Sequence, residues 1–257
     1  MLASAALPAA AMAAEVPQDA VTLDQVFVTA SGFEEDAKKA PASISIVTKE
    51  DLTNKPYRDV RDALAQVPGV SLNGGPEGDI SIRGMEGDGT LILIDGKRVN
   101  SSRMLNQKGG NTVEYSWLPP VNAIERIEIV KGPMSSLYGS DAMGGVINII
   151  TTPAAYEWTA TAGASTTLQE NSNSGNITQQ DFYLSGPLGE QLGMKLYGSA
   201  LQRQEDNIPE GFQENKNYNL TGELEYQLFD TQFLTLSANV VQDNYHSSVG
   251  KSQSLPI

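Results

Sequence analysis

Two units are predicted for this chain: an α+β domain up to Thr152, then the first antiparallel strands of a transmembrane β-barrel that the chain leaves incomplete. Three observations carry that reading. From Asn122 to Thr152 the chain has the pattern of two strands around a turn-rich middle. After Pro153 the apolar residues recur at every second position. The connections between those later segments alternate between short and long.

Met1 to Ala14 is small and apolar, and Ala11-Met12-Ala13 has the small-x-small pattern of a signal-peptidase site, so a signal peptide cleaved after Ala13 or Ala14 is expected. The segment lacks the basic n-region of a secretory signal, which suggests a start further upstream. Glu15 to Gly32 is a separate polar-to-extended segment. Within it, Asp24-Gln25-Val26-Phe27-Val28-Thr29-Ala30-Ser31 alternates as a short strand. No neighbour in sequence pairs with it, so its backbone groups are free for another protein's sheet edge. Phe33 to Lys39 is a charged linker that opens the α+β domain, residues 33 to 152.

Ala42 to Val47 alternates as a strand, and Thr48 with Asp51 makes a capping-box start for a helix. Tyr57 to Gln66 places Val60, Ala63 and Leu64 on one face, predicting a short amphipathic helix ended by Pro68 and Gly69. Ile80 to Arg83 and Thr90 to Ile94 read as strands joined by the glycine-rich loop Gly84 to Gly89, and Asp95-Gly96 is a hairpin signal. Ser101 to Trp117 has no periodicity, and loops of that length in a compact domain carry function or disorder. From Asn122 onward, Ile124, Ile127 and Ile129 alternate with Glu125, Arg126 and Glu128. Val146 to Ile150 closes the domain with β-branched density.

Beyond Pro153 four apolar faces are legible: Trp158, Ala160, Ala162 and Ala164; Leu192, Met194, Leu196 and Ala200; Leu220, Leu224, Tyr226 and Leu228; Leu234, Leu236, Ala238 and Val240. The intervening positions include Lys195, Tyr197, Glu223 and Glu225. Turns at Gly186 to Glu190 and Phe229 to Thr231 are short, whereas the loops Gln169 to Asn176 and Gln204 to Asn217 are long and polar. In outer-membrane barrels short turns lie in the periplasm and long loops outside. A soluble sandwich with one buried face shares the period of two, and the turn asymmetry argues against it.

Several words of the sequence resemble the plug domain of TonB-dependent outer-membrane receptors, in that family's order: Ile82-Arg83-Gly84, Leu91 to Arg98 (LILIDGKR), Glu125-Arg126-Ile127-Glu128, Lys131-Gly132-Pro133, Leu137-Tyr138-Gly139 and Gly144 to Ile150 (GGVINII). They are similar to those of catecholate-siderophore receptors of the colicin I receptor kind. The resemblance implies a Gram-negative outer-membrane receptor for energy-coupled uptake of a ferric siderophore. Asp24 to Ser31 would be the box that binds TonB. Arg83 and Arg126 would be plug arginines paired with barrel carboxylates beyond Ile257. Gly84 to Gly89 and Ser101 to Trp117 would be outward apices touching the ligand through Met85, Arg103, Lys108 and Tyr115. Bacteriocins or phage, and outer-membrane lipid, are further implied partners. Because Ser101 to Trp117 has only two basic residues for an anionic complex, a smaller catechol conjugate, haem or cobalamin stays open as the ligand, and a free-standing periplasmic binding or signalling module stays open as a reading of a different class. Plugged transporters close with about 22 strands. About five are legible before Leu255-Pro256-Ile257, so only the start of the wall is expected here, unable to transport alone.

Composition excludes other classes. There is no cysteine and one histidine, His246, so no disulfide, thiol nucleophile or Cys-ligated zinc site is available. Glu77, Asp79, Glu86 and Asp88 lack calcium-loop spacing and read as a solvated acidic loop. His246 is placed in a loop after the fifth strand, far from any nucleophile elbow, and no catalytic set emerges. The net charge is −14, with 13 basic against 19 acidic side chains up to Thr152 and 4 against 12 beyond it. Nucleic acid needs a basic patch and is excluded as a partner. No cofactor is implied, and no apolar run after the N-terminus is long enough for a membrane-spanning helix.

Overall fold

The computed structural model describes residues 27–28, 35–36, 43–55, 57–73, 79–85, 89–99, 117–229 and 232–254. The signal segment therefore lies outside the described residues. The first two strands, β1 (Phe27–Val28) and β2 (Glu35–Asp36), pair antiparallel with each other. This corrects two expectations: the extended segment does have a neighbour, and part of the charged linker is that neighbour. Two residues on each side make a marginal ladder, since even a full hairpin is barely stable alone.

β3 (Ser43–Thr48) runs into α1 (Lys49–Thr53) through the capping box seen in the sequence. The Asp51 amide donates to Thr48 Oγ1 at 3.2 Å, and the Thr48 amide to Asp51 Oδ2 at 3.1 Å. The bonds its carboxylate accepts from the Thr48 amide and hydroxyl hold Asp51 below its usual range. α2 (Val60–Leu64) is shorter than the predicted Tyr57 to Gln66. The reason is local: Asp59 caps it by accepting from the Asp62 amide at 3.1 Å, which leaves Tyr57 and Arg58 outside, and three-residue turns take over after Leu64.

β4 (Val70–Asn73) pairs with β5 (Asp79–Ile82) in a two-stranded sheet. β4 went unread because its four residues lie against the Pro68-Gly69 stop. β5 and β6 (Thr90–Ile94), adjacent in sequence, belong to different sheets. β7 (Lys97–Arg98) follows the Asp95-Gly96 turn, whose φ values of 48° and 75° are those of a type I′ hairpin. β8 (Ile124–Lys131), the single-turn helix α3 (Ser135–Tyr138) and β9 (Gly145–Thr151) complete the domain.

The central sheet has the order β3-β8-β9-β6-β7, with β6 and β9 parallel and the other pairs antiparallel. One face packs Val47, Ile92, Ile127, Ile129, Ile147 and Ile149 against helix and β4–β5 residues including Leu52, Leu64, Ile80 and Ile82. The other packs Leu91, Leu93, Val130 and Val146 on Ala142. Burial on both faces explains why β9 carries apolar residues at adjacent positions, Val146-Ile147 and Ile149-Ile150, instead of alternating. Gly145 holds the tightest point: at φ 157° a Cβ would lie 2.3 Å from the Val130 carbonyl oxygen.

The C-terminal unit is a five-stranded antiparallel meander of β10 (Thr159–Thr167), β11 (Ile177–Pro187), β12 (Leu192–Arg203), β13 (Glu214–Phe229) and β14 (Gln232–His246), with β10 and β14 at its open edges. β13 begins at Glu214, so the second long loop is shorter than the predicted Gln204 to Asn217. β14 reaches His246, which pairs with Glu214 and does not lie in a loop. Along β13, Asn217, Asn219, Thr221 and Glu223 are buried, while Tyr218, Leu220, Leu224 and Leu228 are exposed. On β14, Leu236 and Val240 are 69% and 68% exposed. This pattern is the inverse of a soluble sandwich: polar groups face the N-terminal domain and apolar groups face outward.

Candidate functional site

The inward side of the C-terminal sheet meets the N-terminal domain along a polar seam. Tyr183 and Tyr197 are register partners on β11 and β12, and both pack on Ala123. Beside them Asn122 donates to Asp181, Asn219 to the Leu118 carbonyl at 3.2 Å, Gln179 to the Arg58 carbonyl at 2.8 Å, and the Ala155 amide to Ser185 Oγ at 2.9 Å. The wall thus gives its side-chain amides to backbone carbonyls, the partners a buried donor needs.

Nearer the short-turn end lies a charged group. Lys195 Nζ is 2.7 Å from Glu223 Oε2, 2.9 Å from Glu225 Oε1 and 3.0 Å from Thr151 Oγ1. Thr151 donates its amide to Asp95 Oδ1 and its hydroxyl to Asp95 Oδ2, both at 2.8 Å. Lys195, Glu223 and Thr151 are buried. A buried ammonium needs such carboxylates to offset its desolvation.

At the opposite end, adjacent carboxylates knot three loops. Asp206 accepts from both terminal nitrogens of Arg203 (3.1 and 2.9 Å), from the Gly175 amide (2.7 Å) and from the Phe212 amide (3.0 Å). The Arg203 guanidinium also lies over the Phe212 ring, 4.7 Å from its centroid. Glu205 accepts from the Ser252 hydroxyl at 2.7 Å and from the Ser248 amide. Those bonds hold the Glu205 carboxyl down to about 2. Gly175 permits the crossing, since a Cβ there would meet the Gln204 carbonyl oxygen at 1.7 Å.

Of the residues singled out in the sequence, Phe27, Val28, Arg83, Met85 and Arg126 are described. Arg126 pairs with Glu128 two positions along the same strand, at 2.9 Å, and Glu128 is fully buried. Arg83 sits in a turn at φ 54°, its amide donating to the Gly69 carbonyl at 2.8 Å. Among the described residues no carboxylate pairs with its guanidinium. Met85 is partly exposed and packs near Gly89 and Gly144, while its carbonyl accepts from Ser81 Oγ at 2.6 Å. Arg103, Lys108 and Tyr115 lie outside the described residues, as do Asp24, Gln25, Val26, Thr29, Ala30 and Ser31; only Phe27 and Val28 of that octapeptide are placed, in β1.

A family model described as the TonB-dependent Receptor Plug Domain matches residues 36–146, the domain just built. The N-terminal domain is a TonB-dependent receptor plug. The C-terminal antiparallel sheet follows that plug, within a chain that aligns over 87% of its length with a solved siderophore receptor. The Iron-regulated outer membrane virulence protein of Vibrio cholerae is 47% identical over 237 residues, covering 91% of this chain and 36% of that one. The crystal structure of the siderophore receptor PirA from Acinetobacter baumannii aligns with a TM-score of 0.72 at 34% identity, over 87% of this chain and 34% of that one. A ferric enterobactin receptor from Pseudomonas aeruginosa, crystallised with enterobactin, aligns at 0.68 and 30% identity over 80% of this chain and 34% of that one. The chain therefore spans about a third of the length of these relatives. The family is one of receptors and transporters, which points away from enzymatic activity.

Sequence reasoning missed the Lys195 group and the Glu205–Asp206 knot. A signal for the first was present: Lys195, Glu223 and Glu225 occupy inward positions of a period-two pattern, where a charge must find a partner. The knot had none, because it depends on how separate loops cross.

Proposed function

We propose that the full-length receptor imports a ferric siderophore of the catecholate type across the outer membrane of a Gram-negative bacterium, coupled to TonB. The observation that carries the reading is the wall, apolar outside and polar inside, docked on a plug whose relatives bear siderophore-receptor names. The exposed leucines of β13 and β14 face lipid, which argues against a free-standing periplasmic module.

Ligand binds on the plug apices, with Met85, Arg103, Lys108 and Tyr115 among its contacts, and on loops of the wall. The octapeptide Asp24 to Ser31 is the TonB-binding strand. Its two-residue pairing with Glu35–Asp36 is weak enough for TonB to replace by strand addition. Pulling then loads β3, an edge strand of the plug sheet whose first residue, Ser43, pairs with Lys131 at the end away from Thr151. Tension from the short-turn side peels that ladder one pair at a time. Arg83 and Arg126 hold the plug to wall carboxylates beyond this chain. The outer loops also offer bacteriocins or phage a docking surface.

The test is growth of a receptor-null strain carrying the full-length gene with single iron sources. Growth on a ferric catecholate that is lost when Asp24 to Ser31 is deleted supports the proposal. Growth on haem only, or cobalamin uptake with no siderophore uptake, would reject the ligand class.

A further inference from the structure

We propose that Lys195 is a positioning residue whose ammonium acts as the counter-ion joining an acidic wall to an acidic end of the plug. The wall presents Glu223 and Glu225 on β13, and the plug presents Asp95 from the β6–β7 turn, oriented by two hydrogen bonds from Thr151. Thr151 Oγ1 accepts from Lys195 and donates to Asp95, so one hydroxyl relays the ammonium to the plug carboxylate. Glu225 Oε2 also accepts from the Ala154 amide at 3.1 Å, which brings the connection between plug and wall into the same group. The remaining groups facing this cluster are the Tyr197 hydroxyl, 3.5 Å from Glu223 Oε1, and Ser185, the register partner of Lys195 on β11. Lys49, on the plug surface, is bound to Glu125 and Thr152.

Two carboxylates thus contact one buried ammonium, and a third, Asp95, lies one hydroxyl beyond it. Without it, Glu223 and Glu225 would repel each other and Asp95 across the seam, where low dielectric strengthens the repulsion. The plug sheet fixes the consequence in space. Thr151 ends β9, in the centre of the sheet, whereas β3, on the side nearer the N-terminus, is at an edge. Lys195 therefore anchors the part of the plug that continues into the wall. That this anchor resists a pull from TonB rests on the function proposed above; the anchor itself does not.

The experiment is hydrogen exchange of the purified full-length receptor in lipid nanodiscs, read as protection factors of the Thr151 and Ala154 amides. With Lys195→Met, protection is expected to fall by about tenfold or more near neutral pH. Lys195→Arg should stay near wild type, and Lys195→Met combined with Glu223→Gln and Glu225→Gln should restore most of the protection. Unchanged protection in Lys195→Met, or a loss that the glutamines do not reverse, would overturn the proposal. If Lys195→Met does not assemble, assembly of the triple variant supports a counter-ion role, and its failure overturns it. Loss of siderophore growth with all these protection factors as expected would count against the proposed ligand alone.

Discussion

Replacing Asp206 by Ala should release the loop between β10 and β11 from the loop between β12 and β13. The Asp206 carboxylate is buried and accepts four hydrogen bonds, two from a guanidinium and two from the amides of Gly175 and Phe212. Removing one partner of a buried charge pair costs about 3 to 5 kcal/mol, because the buried Arg203 guanidinium would lose its carboxylate. Water reaches these surface loops once they part, so the lower figure applies, about 3 kcal/mol and about a hundredfold in an opening equilibrium. The assay is amide exchange in the full-length receptor. Protection at Gly175 and Phe212 should drop about a hundredfold in Asp206→Ala, and by less in Asp206→Asn, which keeps an acceptor. Strands β11 and β12 should exchange as before. Unchanged protection at Gly175, which lies 31 residues from Asp206, would refute the idea that this carboxylate ties the loops.

Other consequences follow from the same geometry. Gly145→Ala should destabilise the plug by about 2 kcal/mol or more, measured by chemical unfolding, because the added carbon meets the Val130 carbonyl at a φ that suits glycine. Leu236→Lys should cost about 2 to 4 kcal/mol in refolding into lipid if its outward position lies at mid-membrane, while Ser237→Lys on the other face should cost less. Glu205 has a folded carboxyl near 2 against an ordinary 4.5. Its contribution is therefore fully present above about pH 4.5 and lost as pH falls through about 2, and Glu205→Gln should abolish that dependence at the Ser252 amide. Thr48→Ala should cost about 1 kcal/mol through loss of the α1 cap, read from thermal unfolding of the full-length receptor.

The wall was the most legible part of the chain. A period of two needs only the side chains, and Leu220, Leu224, Leu234 and Leu236 all fall on the face the alternation assigned them. The Asp95-Gly96 hairpin and the Thr48 capping box were equally readable, because each is set within four residues. What escaped was non-local. That β6 would pair with β9 in parallel, leaving β5 to β4, is decided by packing across the domain. Helix α2 was over-extended because amphipathicity does not register an Asp59 side chain that caps two residues late. The functional residues divide in the same way. Family words pointed to Arg83 and Arg126, a role that stays a proposal and for which Arg126 shows only a bond to its own strand neighbour, and only assembly of β12, β13 and β9 puts Lys195 beside Thr151.

The claim on which the rest depends is that β10 to β14 are a membrane wall around the plug. Spin labels placed singly at Leu224, Leu236, Asn219 and Thr221 of the full-length receptor in lipid vesicles, read by collision with oxygen and with a water-soluble nickel complex, test it most directly. Labels at Leu224 and Leu236 should collide with oxygen and exclude nickel, while those at Asn219 and Thr221 should be shielded from both by the plug. Nickel access at Leu224 and Leu236 equal to that of a surface loop would contradict it.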